Sequence, residues 1–157
     1  AWSDEARVIV GTPQRWHKWA LFERGKPVAG SGSVTLIGDA SHPMLPFLAQ
    51  GGAMAIEDAA VLAASLAQHS DNPAKGLREY ERARRKRTAK VQKLARKQGR
   101  IYGLTGPEAL IRNMVMRSRG GAKLLARYDW LFGWTPPAFD FADRYVTQIG
   151  GDEAEGA

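Results

Sequence analysis

Cysteine is absent from the 157 residues of this sequence, which excludes a disulfide framework and a thiolate zinc site. No segment approaches the roughly 20 consecutive apolar residues that a membrane-spanning helix requires, and the first residues show no basic-then-apolar leader pattern. The three histidines stand apart at positions 17, 42 and 69, so we predict no metal site. From these absences we expect a cytoplasmic protein without a membrane partner.

An apolar run at residues 34–37 opens the most informative segment of the sequence. It reads Val-Thr-Leu-Ile and is typical of a strand that is buried on both faces. Gly38 and Asp39 follow it, then a loop with two prolines and a glycine pair. Residues 53–68 are almost wholly apolar and predict a helix that is buried all round. This order indicates an α/β arrangement, in which ligands bind at the carboxyl ends of strands.

Asp39 and the glycine pair, Gly51 and Gly52, have the chemistry of a ligand site. The carboxylate is a hydrogen-bond acceptor at the end of the predicted strand. The glycines leave backbone N–H groups uncovered where the next helix begins, so the positive end of that helix faces the loop. The alternatives are a turn cap for Asp39 and a sharp strand-to-helix reversal for the glycines.

Further elements are predicted on both sides of this segment. Ser3 is placed to cap a short helix, and Asn72 to cap a long helix that begins at Pro73. Pro107 begins another helix after a break in the pattern. The aromatic residues at 19–22 predict a strand.

The long helix carries most of the positive charge. Residues 75–100 contain 12 Lys and Arg against two glutamates, a local net charge of +10. Apolar residues recur on one face of this helix, although Arg84 and Arg87 interrupt them. We interpret it as an amphipathic helix that is docked on the rest of the chain and basic on its outer side. A nucleic-acid-binding module is the alternative, but we expect a solvated face and no nucleic acid.

The segment GDASHPMLPFLAQGGAMAIEDA, residues 38–59, resembles the second flavin-contacting motif of the FAD-dependent aromatic hydroxylases, the single-component flavoprotein monooxygenases. Within that family it is most similar to the salicylate and 6-hydroxynicotinate hydroxylases. Residues 19–22 resemble the last strand of the family's substrate domain. Residues 99–102 and 127–134 resemble its carboxyl-terminal region.

The resemblance implies an α/β fold class, as a C-terminal fragment of an FAD-binding monooxygenase fold. Its parts are the end of the substrate-domain region, the flavin-contacting strand-loop-helix, a helical C-terminal region and a mobile tail, at residues 1–28, 29–70, 71–149 and 150–157. The family's N-terminal GxGxxG unit is missing, because the glycines at 30 and 32 precede the strand instead of following it. We therefore expect a missing FAD-binding half in cis or on a second chain, with a homodimer as another possibility.

The resemblance also implies the cofactor contacts. Asp39 accepts a hydrogen bond from a ribityl hydroxyl of FAD. The backbone amides of Gly51, Gly52 and Ala53 face the pyrimidine edge of the flavin ring, where negative charge accumulates on reduction. The end of a helix carries about half a positive charge, which suits this position.

The loop between these contacts provides the predicted substrate site. Met44, Pro46 and Phe47 form a stiff, apolar wall of the substrate cavity, with packing against the chain's own core as the alternative. His42 is a candidate catalytic base toward a substrate phenol, with orientation of the loop as the alternative. The adjacent acids at 57 and 58 point about 100° apart on a helix, so we interpret them as electrostatic support and not as an acid–base pair.

The implied reaction is hydroxylation of a small aromatic acid or phenol, salicylate-like, with FAD as cofactor and NADH or NADPH as reductant, through a flavin hydroperoxide. We expect the isolated chain to be incomplete and weakly active or inactive. The alternative, besides the nucleic-acid-binding module, is a non-catalytic interaction fragment.

Overall fold

The computed structural model describes residues 3–119 and 121–136. Within these ranges the chain forms seven α-helices: α1 (Asp4–Gly11), α2 (Gly38–Ser41), α3 (Gly51–Gln68), α4 (Pro73–Tyr102), α5 (Gly106–Arg119), α6 (Gly121–Leu125) and α7 (Asp129–Phe132). Single 3-10 turns lie at Pro46–Leu48 and Ala126–Tyr128. The predicted mobile tail at 150–157 lies outside the described residues, as does the end of the predicted helical region.

The helix starts that depend on local capping are confirmed. Ser3 Oγ accepts a hydrogen bond from the Ala6 amide at 3.3 Å, and Asn72 Oδ1 accepts one from the Lys75 amide at 3.1 Å. Each cap supplies a side-chain acceptor to a backbone N–H group in the first turn of its helix, where amides lack a carbonyl four residues earlier in the same helix. The helix predicted at Pro107 begins one residue earlier, and α3 begins two residues ahead of its predicted start.

Helices α3 and α4 pack against each other and form the centre of the structure. A close approach occurs at Gly76, where a Cβ would lie 2.8 Å from the Ser65 carbonyl oxygen. The buried apolar cluster comprises Met54, Val91 and Leu131. Partly buried residues from the loop and the C-terminal turns pack around it: Met44, Leu48, Tyr128 and Trp130.

The two predicted strands are not formed in the described part of the chain. Residues 34–37 are followed directly by α2, and an isolated bridge joins Ser31 to Val34. Helix α4 provides their hydrogen-bond donors instead: Arg78 Nη2 donates to the Val34 carbonyl at 2.8 Å and Tyr80 to the Leu36 carbonyl at 3.3 Å. In a sheet, the backbone N–H and C=O groups of a strand bond to a neighbouring strand. Here side chains of α4 take the place of that neighbour for these two carbonyls. The predicted sheet is therefore not confirmed, nor is the strand at 19–22.

The exposed face of α4 agrees with the sequence prediction, whereas that of α3 does not. The prediction that α3 is buried all round is wrong, because Ile56 is 73% exposed and only the face toward α4 and the loop is covered. Helix α4 has the predicted basic outer side, with eight exposed cations: Lys75, Arg82, Arg85, Lys86, Lys90, Lys93, Lys97 and Arg100. Among the helices in the described ranges, none has the length and apolarity needed for a bilayer crossing.

Candidate functional site

The turn at Gly38 and Asp39 lies against the first turns of α3. Gly38 has a φ of +54°, and a Cβ at this position would lie 3.2 Å from the Ala55 side chain. A Cβ on Gly51 would lie 3.7 Å from Oδ1 of Asp39. The structure thus brings the exposed carboxylate of Asp39 to the start of α3, beside the glycines with which the sequence grouped it.

The start of α3 has no side-chain cap. Gln50 occupies the cap position without a side-chain hydrogen bond to the helix. Gly52 and Ala53 are exposed, and the space where a Gly52 Cβ would stand is open to at least 4 Å. Ala49, just before the helix, has a left-handed φ of 53°, which costs an L-residue about 1–2 kcal/mol. The uncapped, partly positive N-terminus of this 18-residue helix therefore lies beside Asp39.

Asp58 is the centre of a buried polar network behind this turn. It is 0% exposed and accepts three hydrogen bonds: from the Gly38 amide at 2.9 Å, from Nε of Arg84 at 2.7 Å, and from Nε2 of His42 at 2.6 Å. Burial alone raises the pKa of this carboxyl, but the bonds from His42, Gly38 and Arg84 outweigh burial and hold the pKa below its usual value. Asp58 is therefore an ionised acceptor in the core.

Glu57 extends the network toward the C-terminal turns. Arg84 Nη1 lies 2.7 Å from Oε2 of Glu57, and Arg87 binds both carboxylate oxygens of Glu57 at 2.6 Å. Arg87 also donates to the carbonyls of Trp130 at 3.0 Å and Leu131 at 2.9 Å. The two adjacent acids do not face each other, as predicted, but Arg84 joins them.

The roles of Arg84 and Arg87 were not predicted from the sequence. Both arginines interrupt the apolar stripe of α4 in the sequence. In the structure they are the ion-pair partners of the two acids on the otherwise apolar helix α3. The sequence contains one signal for this pairing, since the apolar helix α3 carries two adjacent acids and the apolar stripe of α4 is interrupted by two arginines. Trp134 lies over both guanidinium groups, 5.4 Å from Arg84 and 5.3 Å from Arg87.

His42 is held within this network. The imidazole is 2% exposed, and its Nε2 is directed at the ionised Asp58. Nδ1 has no hydrogen-bond partner among the described residues. These contacts favour the orienting alternative for His42, and its role as a catalytic base stays a prediction.

The predicted substrate wall is divided by the structure. Pro46 is exposed, whereas the Phe47 ring packs onto Gly99 of α4 and lies edge-on to Tyr102 with 6.0 Å between ring centroids. Met44 packs on the buried apolar cluster. A cleft of about 480 Å³ lies elsewhere, between residues 27–29 and α4, and is lined by none of these three wall residues. The substrate wall stays a prediction.

Comparison with known proteins identifies the family. Residues 5–95 match the family described as FAD binding domain. A 3-hydroxybenzoate 6-hydroxylase of Aquipseudomonas alcaligenes is 38% identical over 131 residues, which are 83% of this chain and 41% of that protein. A 3-amino-4-hydroxybenzoate 2-monooxygenase of Streptomyces platensis is 40% identical over 136 residues, 85% of this chain and 33% of that protein. A 6-hydroxynicotinate 3-monooxygenase of Bordetella bronchiseptica is 38% identical over 96 residues, 60% and 25% of the two chains.

The chain belongs to the FAD binding domain family, and the resemblance of its sequence to the FAD-dependent aromatic hydroxylases is confirmed. It spans between 25% and 41% of the length of these three curated relatives.

FAD is the cofactor that this family implies, and the residues at the start of α3 fit one part of it. A carboxylate acceptor suits a ribityl hydroxyl donor. Uncapped amides with open space around Gly52 suit the carbonyl and nitrogen acceptors of a flavin ring.

Proposed function

We propose that this chain supplies part of the flavin site of an FAD-dependent monooxygenase that hydroxylates a small aromatic acid or phenol. The observation that carries the proposal is the position of the Asp39 carboxylate beside the uncapped start of α3. The names of the curated relatives support the substrate class, because all three contain a hydroxylated aromatic acid. A salicylate-like substrate and NADH or NADPH as reductant are the finer parts of the same proposal.

Each group has a defined task in this proposal. Asp39 accepts a hydrogen bond from a ribityl hydroxyl and so fixes the flavin along its length. The amides of Gly51, Gly52 and Ala53 donate to the pyrimidine edge of the ring and stabilise the negative charge that reduction places there. FAD, when bound, supplies the electron transfer from the nicotinamide and the reaction with O₂.

The loop between Asp39 and α3 forms the substrate side of the proposed site. Pro46 is exposed and conformationally stiff, and it is the wall residue that the packing of α4 leaves open. Met44 and Phe47 hold the loop by their contacts with the core and with α4. His42 orients the same loop through Asp58, and a catalytic role would require its buried Nδ1 to reach the substrate.

The proposal extends to the partners. The sequence has no GxGxxG unit after a strand to hold the ADP half of FAD, so we propose that a further portion, in cis or on a second chain, completes the site. We expect weak FAD binding by the chain alone and tighter binding when an amino-terminal portion of a curated relative is added. A cytoplasmic location and a homodimer remain predictions.

FAD titration followed by flavin fluorescence tests the proposed contacts. We expect Asp39→Asn to weaken binding roughly tenfold, because a charge-assisted hydrogen bond is replaced by a neutral one. Asp71→Asn is the matched control, since Asp71 is an exposed aspartate in the turn between α3 and α4 and should leave the affinity unchanged. Equal affinity of all three proteins, or no binding by any, would refute the proposed contacts.

The substrate class needs a separate measurement. The completed enzyme should oxidise NADH or NADPH faster when 3-hydroxybenzoate, salicylate or 6-hydroxynicotinate is present, and should yield a hydroxylated product. FAD binding without stimulation by any aromatic acid would favour a non-catalytic interaction fragment.

A further inference from the structure

One stripe of α3 contacts the whole turn at Gly38 and Asp39. The stripe consists of Gly51, Ala55 and Asp58, which are spaced four and three residues apart and therefore lie on one face of the helix. Gly51 lies near the Asp39 carboxylate, and Ala55 occupies the side of Gly38 to which a Cβ would point. Asp58 accepts a hydrogen bond from the Gly38 amide. The amide end of α3 and the carboxylate of Asp58 thus belong to one rigid body, about 10 Å apart along the helix.

The two oxygens of Asp58 have different partners. Oδ1 accepts from Arg84 of α4, whereas Oδ2 accepts from the Gly38 amide and from His42. The Gly38 carbonyl in turn accepts the His42 amide at 2.9 Å. Asp58 therefore joins the α3–α4 core to both ends of the short helix α2 that carries Asp39.

We propose that Asp58 is a positioning residue for the flavin site, which sets the place of the Asp39 carboxylate relative to the amide end of α3. This inference rests on the proposed function, because it concerns the grip on the flavin. A left-handed glycine has little conformational preference of its own. The hydrogen bond from the Gly38 amide to the Asp58 carboxylate therefore fixes the turn. It also fixes the direction of the Asp39 side chain that follows.

A purely structural role of the network would have a different signature. Glu57 is adjacent to Asp58 and shares Arg84 with it, but its hydrogen bonds go to the two arginines and not to the turn. If the two acids only stabilised the core, neutralising either one would lower the stability of the fold. The conformation of the turn and the ligand affinity would then be the same in the two variants. The pair Asp58→Asn and Glu57→Gln separates the two roles.

The experiment measures the Gly38 amide and riboflavin affinity in the full chain by nuclear magnetic resonance. Riboflavin is the probe because it contains the ring and the ribityl chain without the phosphates. For Asp58→Asn we expect an upfield shift of the Gly38 amide proton, at least tenfold faster exchange of that amide, and roughly tenfold weaker riboflavin binding than for Glu57→Gln. Glu57→Gln should keep the wild-type Gly38 signal.

Each other outcome counts against a specific claim. Equal riboflavin affinity of the two variants, with a wild-type chain that binds, would overturn the positioning role alone. A wild-type chain that does not bind riboflavin would overturn the proposed flavin site as well. If Asp58→Asn does not fold, Gly38→Ala displaces the same turn, since its Cβ would lie 3.2 Å from that of Ala55 at an unfavourable φ. It should also weaken riboflavin binding roughly tenfold, and wild-type affinity would overturn the proposal.

Discussion

Replacing Arg84 by methionine is the most severe single test of the buried network. Arg84 is 4% exposed and its guanidinium bonds Asp58 at 2.7 Å and Glu57 at 2.7 Å. Methionine keeps most of the aliphatic volume but removes the charge. The substitution leaves Asp58 with His42 and the Gly38 amide, and Glu57 with its two bonds from Arg87.

The magnitude follows from the burial of the two acids. Removing one partner of a buried ion pair costs about 3–5 kcal/mol, because a charge stays in the core without full compensation. We expect the lower end, about 3 kcal/mol, since each carboxylate keeps other donors. With a urea m-value of about 2 kcal/mol/M, the unfolding midpoint should fall by roughly 1.5 M.

Far-ultraviolet circular dichroism in urea measures this shift, and Arg82→Met is the matched control. Arg82 lies on the same helix and pairs with Glu79, but the Arg82 side chain is 69% exposed, so the midpoint of Arg82→Met should barely change. Equal midpoints for Arg84→Met and Arg82→Met would refute the claim that the buried ion pairs of Arg84 stabilise the fold.

Two further predictions concern pH and helix packing. Folding lowers the pKa of Asp58, so the folded chain binds fewer protons than the unfolded chain below about pH 5. The stabilisation is fully present above the unfolded pKa of about 3.9 and is lost as pH falls through the folded value. Urea midpoints between pH 6 and 3 should therefore fall less steeply in Asp58→Asn, and identical slopes would contradict this. Gly76→Ala should destabilise the chain by about 1–3 kcal/mol, because its Cβ would lie 2.8 Å from the Ser65 carbonyl. Gly11→Ala, with open space, should be neutral, and equal stability of the two variants would show that α3 and α4 do not approach there.

The parts of the structure that depend on neighbouring residues could be predicted from the sequence. Ser3 and Asn72 cap their helices because a side-chain oxygen only has to reach an amide three residues ahead. Asp39 and Gly51 come together because a short loop with two prolines leaves few paths between them. The family resemblance rests on the same segment.

The parts that depend on distant residues could not. The arginine partners of Asp58 and Glu57 lie 26 to 30 residues further along the chain, and charge periodicity within one helix does not reveal them. The predicted strand at 34–37 is not confirmed for a similar reason, because an apolar β-branched run forms a strand only where a second strand pairs with it. In the described part of the chain its carbonyls bond to side chains of α4 instead.

The central claim is that Asp39 and the amide end of α3 together bind a flavin ring, and mapping of amide signals tests it most directly. Riboflavin and ADP, which represent the two halves of FAD, are the ligands to compare. ADP carries phosphates, which the exposed cations of α4 would attract. We predict that riboflavin shifts the amide signals of Gly51, Gly52 and Ala53, that Asp39→Asn weakens this effect, and that ADP leaves these signals unchanged. Riboflavin shifts confined to other residues, or unaffected by Asp39→Asn, would contradict it.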